Sequence, residues 1–186
     1  MASDFTKAKK FICDKLEESH SKRMALLIDH YIGNNPERVK ALVEIICQDD
    51  GILHQRGSYN IWVMRKGKAN LLIPHLDQLL DKLEGPSHDA FGRGLLGTIA
   101  NMTIPEEAMG RIADYCISAL ENPKEAIAIR ANSMSVLTNI CRQEPELVPE
   151  MELLISSFME HGTAGYQARG RRVLKELNRI RKKHSL

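Results

Sequence analysis

Aromatic side chains are scarce in this 186-residue chain: Phe, Trp and Tyr make up 5% of it, and Trp62 is its only tryptophan. Sheets draw on aromatic and β-branched residues, whereas Leu, Ile, Ala, Met, Glu and Lys are abundant here, so an all-α class is expected. The chain also lacks any run of 18 or more apolar residues, and its start has no basic stretch leading into an apolar segment. A soluble, cytoplasmic protein with no membrane partner is the expectation. Cysteine is sparse: Cys13, Cys47, Cys116 and Cys141 are separated by 34, 69 and 25 residues, so no CxxC pair exists and reduced, buried helix-face thiols are expected.

Signatures of catalysis are missing in the same way. The seven histidines, His20, His30, His54, His75, His88, His161 and His184, show no HExxH or comparable zinc spacing, so no metal and no cofactor is expected. There is no GxxxxGK[ST] and no GxSxG. The run from Gly92 through Gly94 to Gly97 does read GxGxxG, but it lies in an apolar-periodic helix with no strand before it, which points to close helix packing rather than to a phosphate cradle. Glu106 and Glu107 complement the positive end of a first helical turn, and Asp49-Asp50-Gly51 reads as a turn. No residue is assigned a catalytic role.

What the chain does contain is repetition. A content of 43% hydrophobic residues is enough for a continuous core, and apolar spacing with Pro, Gly and Asn punctuation predicts ten short helices in five hairpins. First helices are expected over 4–18, 36–48, 74–84, 105–121 and 146–160, and second helices over 20–33, 52–67, 88–103, 124–143 and 164–183. The units run approximately 4–33, 36–67, 74–103, 105–143 and 146–184, within one repeat domain over 1–186. Pro36, Pro105, Pro123 and Pro145 stand near helix starts, where a missing N–H costs nothing. Aligning the second helices puts Ile28, Met64, Ile99, Leu137 and Leu174 in one buried column, separated by 36, 35, 38 and 37 residues. A period of this size marks stacked helical units that cannot bury their apolar faces alone. In the fourth unit the stacking stripe is Ile129, Ser133, Val136, Leu137 and Ile140; in the fifth it is Tyr166, Gly170, Val173, Leu174 and Leu177.

Asn122-Pro123, then Ile129-Arg130, Ser133, Val136-Leu137 and Ile140, resembles the HEAT-repeat consensus. The phrases Thr98-Ile99-Ala100-Asn101-Met102 and Val136-Leu137-Thr138-Asn139-Ile140 resemble the ending of armadillo repeats. The resemblance implies an α-α superhelix, a solenoid of about five HEAT-like hairpins, whose second helices line a concave groove. The position two residues after the buried column holds His30, Lys66, Asn101, Asn139 and Glu176. In armadillo repeats an Asn there holds a peptide backbone, a role that carries over to Asn101 and Asn139; both could instead satisfy carbonyls at helix ends. Trp62 lies one turn before Lys66. His30, Trp62, Lys66, Asn101 and Asn139 are therefore the expected contacts for a protein or peptide in the groove.

Charge is unevenly placed. Net charge is +2, yet residues 165–186 hold eight of the 26 Lys and Arg and one of the 24 Asp and Glu, leaving about −5 elsewhere. Arg169, Arg171, Arg172, Lys175, Arg179, Arg181, Lys182 and Lys183 either form the polar outer face of a terminal repeat or contact phosphate. The chain also resembles, in size class and architecture, the small HEAT-like alkylpurine DNA glycosylases, which grip damaged duplex with tryptophans and a catalytic carboxylate. With one Trp and an acidic body, no catalytic Asp is assigned. A non-catalytic protein-interaction scaffold is the expected function, and a nucleic-acid-binding HEAT-like protein is the alternative.

Overall fold

A computed structural model describes residues 3–48, 50–159 and 163–185, so the expectations for Asp49 and His161 lie outside the described residues. The described residues form ten α-helices and two 3-10 segments, with no strand among them. Two compact units divide the chain, residues 1–103 and 104–186, and the division falls between the third and fourth expected hairpins.

The first unit holds six helices. Helix α1, Asp4–Glu18, starts where the Ser3 hydroxyl accepts the Thr6 N–H at 3.2 Å, and it buries Ala8, Ile12 and Leu16 along one stripe. Helix α2, Lys22–Ile32, is capped in the same way by Ser21 and ends at Gly33, whose φ of 54° lies in the left-handed region that glycine tolerates best. Pro36 opens α3, Pro36–Gln48, with the Asn35 side chain accepting the Glu37 N–H at 3.0 Å. Burial of Val39, Ala41, Leu42, Val43, Ile45 and Ile46 shows α3 to be covered on several sides. Helix α4 spans Ile52–Met64. The third hairpin starts differently from the expected 74–84: a 3-10 segment, Ala69–His75, carries Pro74 before α5 begins at Leu76 and runs to Glu84. Helix α6 is Asp89–Ile99, capped by the His88 ring, which accepts the Ala90 N–H at 3.1 Å.

Within this unit the first helices α1, α3 and α5 lie side by side, and so do the second helices α2, α4 and α6. That is the double row expected of stacked hairpins. The α4/α6 seam is its tightest point. A Cβ on Gly94 would stand 2.6 Å from the Ser58 carbonyl oxygen, and one on Gly97 would stand 2.1 Å from Trp62 Cζ3. The Thr98 hydroxyl reaches across the seam to the Ile61 carbonyl at 2.7 Å. The GxGxxG run is therefore a packing surface. The seam continues at buried His54, whose Nδ1 donates to the Ile46 carbonyl at 2.9 Å while Nε2 accepts the His88 N–H at 3.2 Å.

The second unit contains α7, Glu106–Glu121; α8, Ile127–Gln143; a 3-10 turn, Pro145–Leu147; α9, Val148–Ser157; and α10, Ala164–His184. Helix α8 packs on α7, α9 and α10, and it buries all of Ile129, Ser133, Val136, Leu137 and Ile140. In α10 the buried stripe is Tyr166, Gly170, Val173, Leu177 and Ile180, so Leu174 stands at its margin rather than in the buried column. The other members of that column, Ile28, Met64, Ile99 and Leu137, are each no more than 1% exposed. A stripe recurring at i, i+4, i+7 and i+11 is enough to cover one side of α10.

Candidate functional site

Helix α4 presents two faces to its surroundings. One carries Ile61 and Met64 into the core; the other displays Gln55, Tyr59 and Trp62 at helical spacing, with Lys66 following in the turn after the helix. Because α2 and α6 flank α4, this outward stripe forms a ridge with a cleft on each side. Between α4 and α6 lies a cleft of about 360 Å³, bounded by Tyr59, Trp62, His88, Arg93 and the His20 ring from the turn before α2. Between α2 and α4 lies a second, of about 230 Å³, bounded by Lys22, Leu26, Tyr59, Trp62, Val63 and Lys66. Tyr59 and Trp62 are walls of both.

The ridge is held rigidly. The Trp62 benzo ring lies against Gly97, where any larger residue would displace it. Arg65 donates to the Trp62 carbonyl at 2.9 Å and lays its guanidinium over the indole, with Cζ 3.7 Å from the ring centroid. His20 meets Tyr59 edge-on at a centroid distance of 6.2 Å. Ser58, also at the α4/α6 cleft, donates its hydroxyl to the His54 carbonyl at 2.6 Å and is fully buried. Its hydroxyl proton is committed to the helix backbone.

Of the five expected partner contacts, the structure brings Trp62 and Lys66 together at the α2/α4 cleft. His30 and Asn101 are exposed residues of the same unit and line neither of these clefts. The Asn101 amide donates to the Gly97 carbonyl at 2.9 Å, closing a helix end. Asn139, in the second unit, is only 9% exposed within α8 and offers a partner little surface. Among the basic residues of α10, Arg169 donates to the Ser135 hydroxyl at 2.7 Å, Arg181 pairs with Glu152 at 2.8 Å, and Arg179 pairs with Glu176 at 3.2 Å. Arg171, Arg172, Lys175, Lys182 and Lys183 are exposed and make no ion pair among the described residues.

Burial pushes the Cys116 and Cys141 thiols up to about 12 and the Cys47 thiol up to about 11, so none of the three supplies a thiolate near neutral pH. Cys116 and Cys141 are buried as expected, whereas Cys13 and Cys47 are half-buried at the edges of α1 and α3; all four remain thiols. No cluster of three His, Cys, Asp or Glu groups placed to hold a metal occurs among the described residues. No described helix is long and apolar enough to cross a membrane.

The contacts beyond Trp62 and Lys66 were legible in part. Reading the stripe opposite the buried column of α4 finds Gln55 and Tyr59 directly. His20, Lys22, His88 and Arg93 come from other helices and turns, and only packing assembles them. A structural series was also available, since Arg56, Arg93, Arg130 and Arg169 recur at intervals of 37, 37 and 39 residues. Arg56 closes the end of α1 by donating to the Leu16 and Glu17 carbonyls at 2.7 and 3.0 Å, and Arg130 donates to the Leu120 carbonyl at 3.1 Å near the end of α7.

No curated protein and no solved structure gives a significant match to the chain. A family model does, over residues 12–177, and its helical-hairpin architecture is the one seen in both units. The chain belongs to the HEAT repeat domain family, whose helical repeats are scaffolds that often mediate protein interactions and are typically non-catalytic.

Proposed function

We propose that this protein is a non-catalytic cytoplasmic scaffold that binds a protein partner on the second-helix face of residues 1–103. The observation that carries the reading is the α4 ridge, where Tyr59 and Trp62 wall two clefts at once. Large aromatic side chains held by their neighbours lose little entropy on binding and expose both apolar and polar edges to a partner. Affinity capture from the native cell tests it, comparing the wild type with a Tyr59→Ser, Lys66→Glu variant whose changes fall on half-buried and exposed positions. A protein recovered by the wild type and lost by the variant supports the scaffold; identical recoveries would overturn this face as the contact.

A second reading rests on α10. Five exposed cations that make no ion pair among the described residues suit a phosphate backbone. Duplex binding across salt concentrations checks it: a steep salt slope that flattens in a Lys175→Ala, Lys182→Ala, Lys183→Ala variant supports nucleic-acid contact, and no binding at low salt overturns it.

A further inference from the structure

We propose that the two clefts flanking α4 take an acidic linear peptide, with one apolar side chain seated between α2 and α4 and carboxylates spread over the surrounding cations. The inference rests on the scaffold reading and names the chemistry of its partner. Its basis is charge complementarity. Lys22, Arg65, Lys66 and Arg93 border the clefts, with the imidazoles of His20 and His88, and among the described residues no Asp or Glu lines either one. Residues 1–103 as a whole are close to neutral, with 14 Lys and Arg against 13 Asp and Glu, so cations are gathered at the clefts rather than spread evenly over the unit.

Two of these cations, Lys22 and Lys66, are also available. Lys22 and Lys66 are exposed and make no ion pair among the described residues, while Asp29, a carboxylate of the neighbouring α2, is occupied by Lys68 at 2.8 Å. The floor between them is apolar, made by Leu26, Val63 and the two aromatic rings. At about 230 and 360 Å³ the clefts are at or below the small end of the range for small-molecule pockets, the size of one or two side chains each. An extended segment crossing the ridge can place alternate side chains into the two clefts, because neighbouring residues of an extended chain point to opposite sides.

Nucleic acid fits the same surface poorly. Stacking needs an open aromatic face, but the guanidinium of Arg65 covers Trp62 at 3.7 Å and Gly97 backs its benzo ring.

Trp62 is the only tryptophan, so its fluorescence reports on both clefts. The full chain is titrated with a twelve-residue peptide alternating Glu with Leu and Phe, with its Gln-for-Glu counterpart, and with a twelve-nucleotide oligothymidylate. The expected result is a saturable change with the acidic peptide, affinity at least about tenfold above the Gln peptide, and a further loss of about tenfold in Lys22→Glu, Lys66→Glu, with affinity falling as salt rises. Circular dichroism confirms that the variant folds, as both positions are exposed. Equal binding of the acidic and Gln peptides overturns the proposal, and so does tighter binding of the oligonucleotide with the same Trp62 response. A captured native partner that depends on Tyr59 but is indifferent to salt and to Lys22→Glu, Lys66→Glu overturns the acidic chemistry while leaving the scaffold intact. A captured partner indifferent to Tyr59→Ser overturns this face as the contact, and the acidic-peptide proposal with it.

Discussion

Replacing Gly94 by alanine adds one methyl group to a helix, and on helix propensity alone it should stabilise the protein by about 1 kcal/mol. The packing argues the opposite. The new Cβ would stand 2.6 Å from the backbone oxygen of Ser58, and a backbone atom in the middle of α4 cannot rotate away as a side chain can. To restore ordinary contact the two helices must part by about 0.8 Å, loosening the seam that contains the Thr98 to Ile61 hydrogen bond and the Trp62 to Gly97 contact. Overpacking of this kind costs about 1 to 3 kcal/mol, and the loosened seam adds to it, so a net loss of about 2 kcal/mol is expected. For a chain of this length that is a fall of about 4 to 8 °C in Tm. Gly110→Ala in α7 is the matched control, since its Cβ meets nothing within 4 Å, and it should raise Tm by about 2 to 4 °C. Thermal melts by circular dichroism, with Trp62 fluorescence read alongside, measure both. If Gly94→Ala melts at or above the wild type, in step with Gly110→Ala, the close-approach account of the glycine run is wrong.

Acid should weaken the first unit through His54. Its burial lowers the pKa below the usual 6.5, and the neutral ring already uses one nitrogen as donor to Ile46 and the other as acceptor from His88, with Lys82 and Asp50 nearby. Unfolding frees the ring to bind a proton, so the stabilisation is complete above about pH 6.5 and declines below it, by about 1.4 kcal/mol per pH unit until the folded pKa is reached. His75, lowered chiefly by burial, adds in the same direction. Denaturant melts at pH 7.5 and 5.5 should show a smaller difference for His54→Gln than for the wild type; equal differences would remove His54 from the account. Arg56→Gln, which strips two carbonyl caps from the end of α1, should cost about 1 to 2 kcal/mol and speed amide exchange there, a result absent if the cap is idle. Thiol labelling followed by mass spectrometry should find Cys116 and Cys141 protected until denaturant is added; labelling of either in the native protein at pH 8 would contradict their burial.

Local signals were read well because their causes are local. Asn35-Pro36 opens α3 at the expected residue, and the first helix runs over 4–18 as its apolar stripe requires. The third hairpin was harder, since Pro74 sits inside a 3-10 segment rather than at the first turn of an α-helix, and a proline is compatible with either. Asn101 and Asn139, equivalent by repeat position, meet different surroundings. Asn101 turns back on its own helix end and Asn139 is enclosed in α8, because exposure at one repeat position depends on what the neighbouring repeat places beside it.

The amino-acid sequence by itself determined the all-α class, the ten helices, the period near 36 residues and the column of Ile28, Met64, Ile99 and Leu137, since each follows from spacing along one helix or from the chemistry of its ends. Only the tertiary structure decided that Trp62 rests on Gly97, that Arg65 covers it, that His54 accepts the N–H of His88, and that Lys22, Lys66 and Arg93 gather along the ridge. Two of those pairs, Trp62 with Gly97 and His54 with His88, are about one repeat apart in the chain. They meet because side-chain volumes set how closely adjacent hairpins stack and which way each helix is turned, and that balance is struck between helices rather than within one.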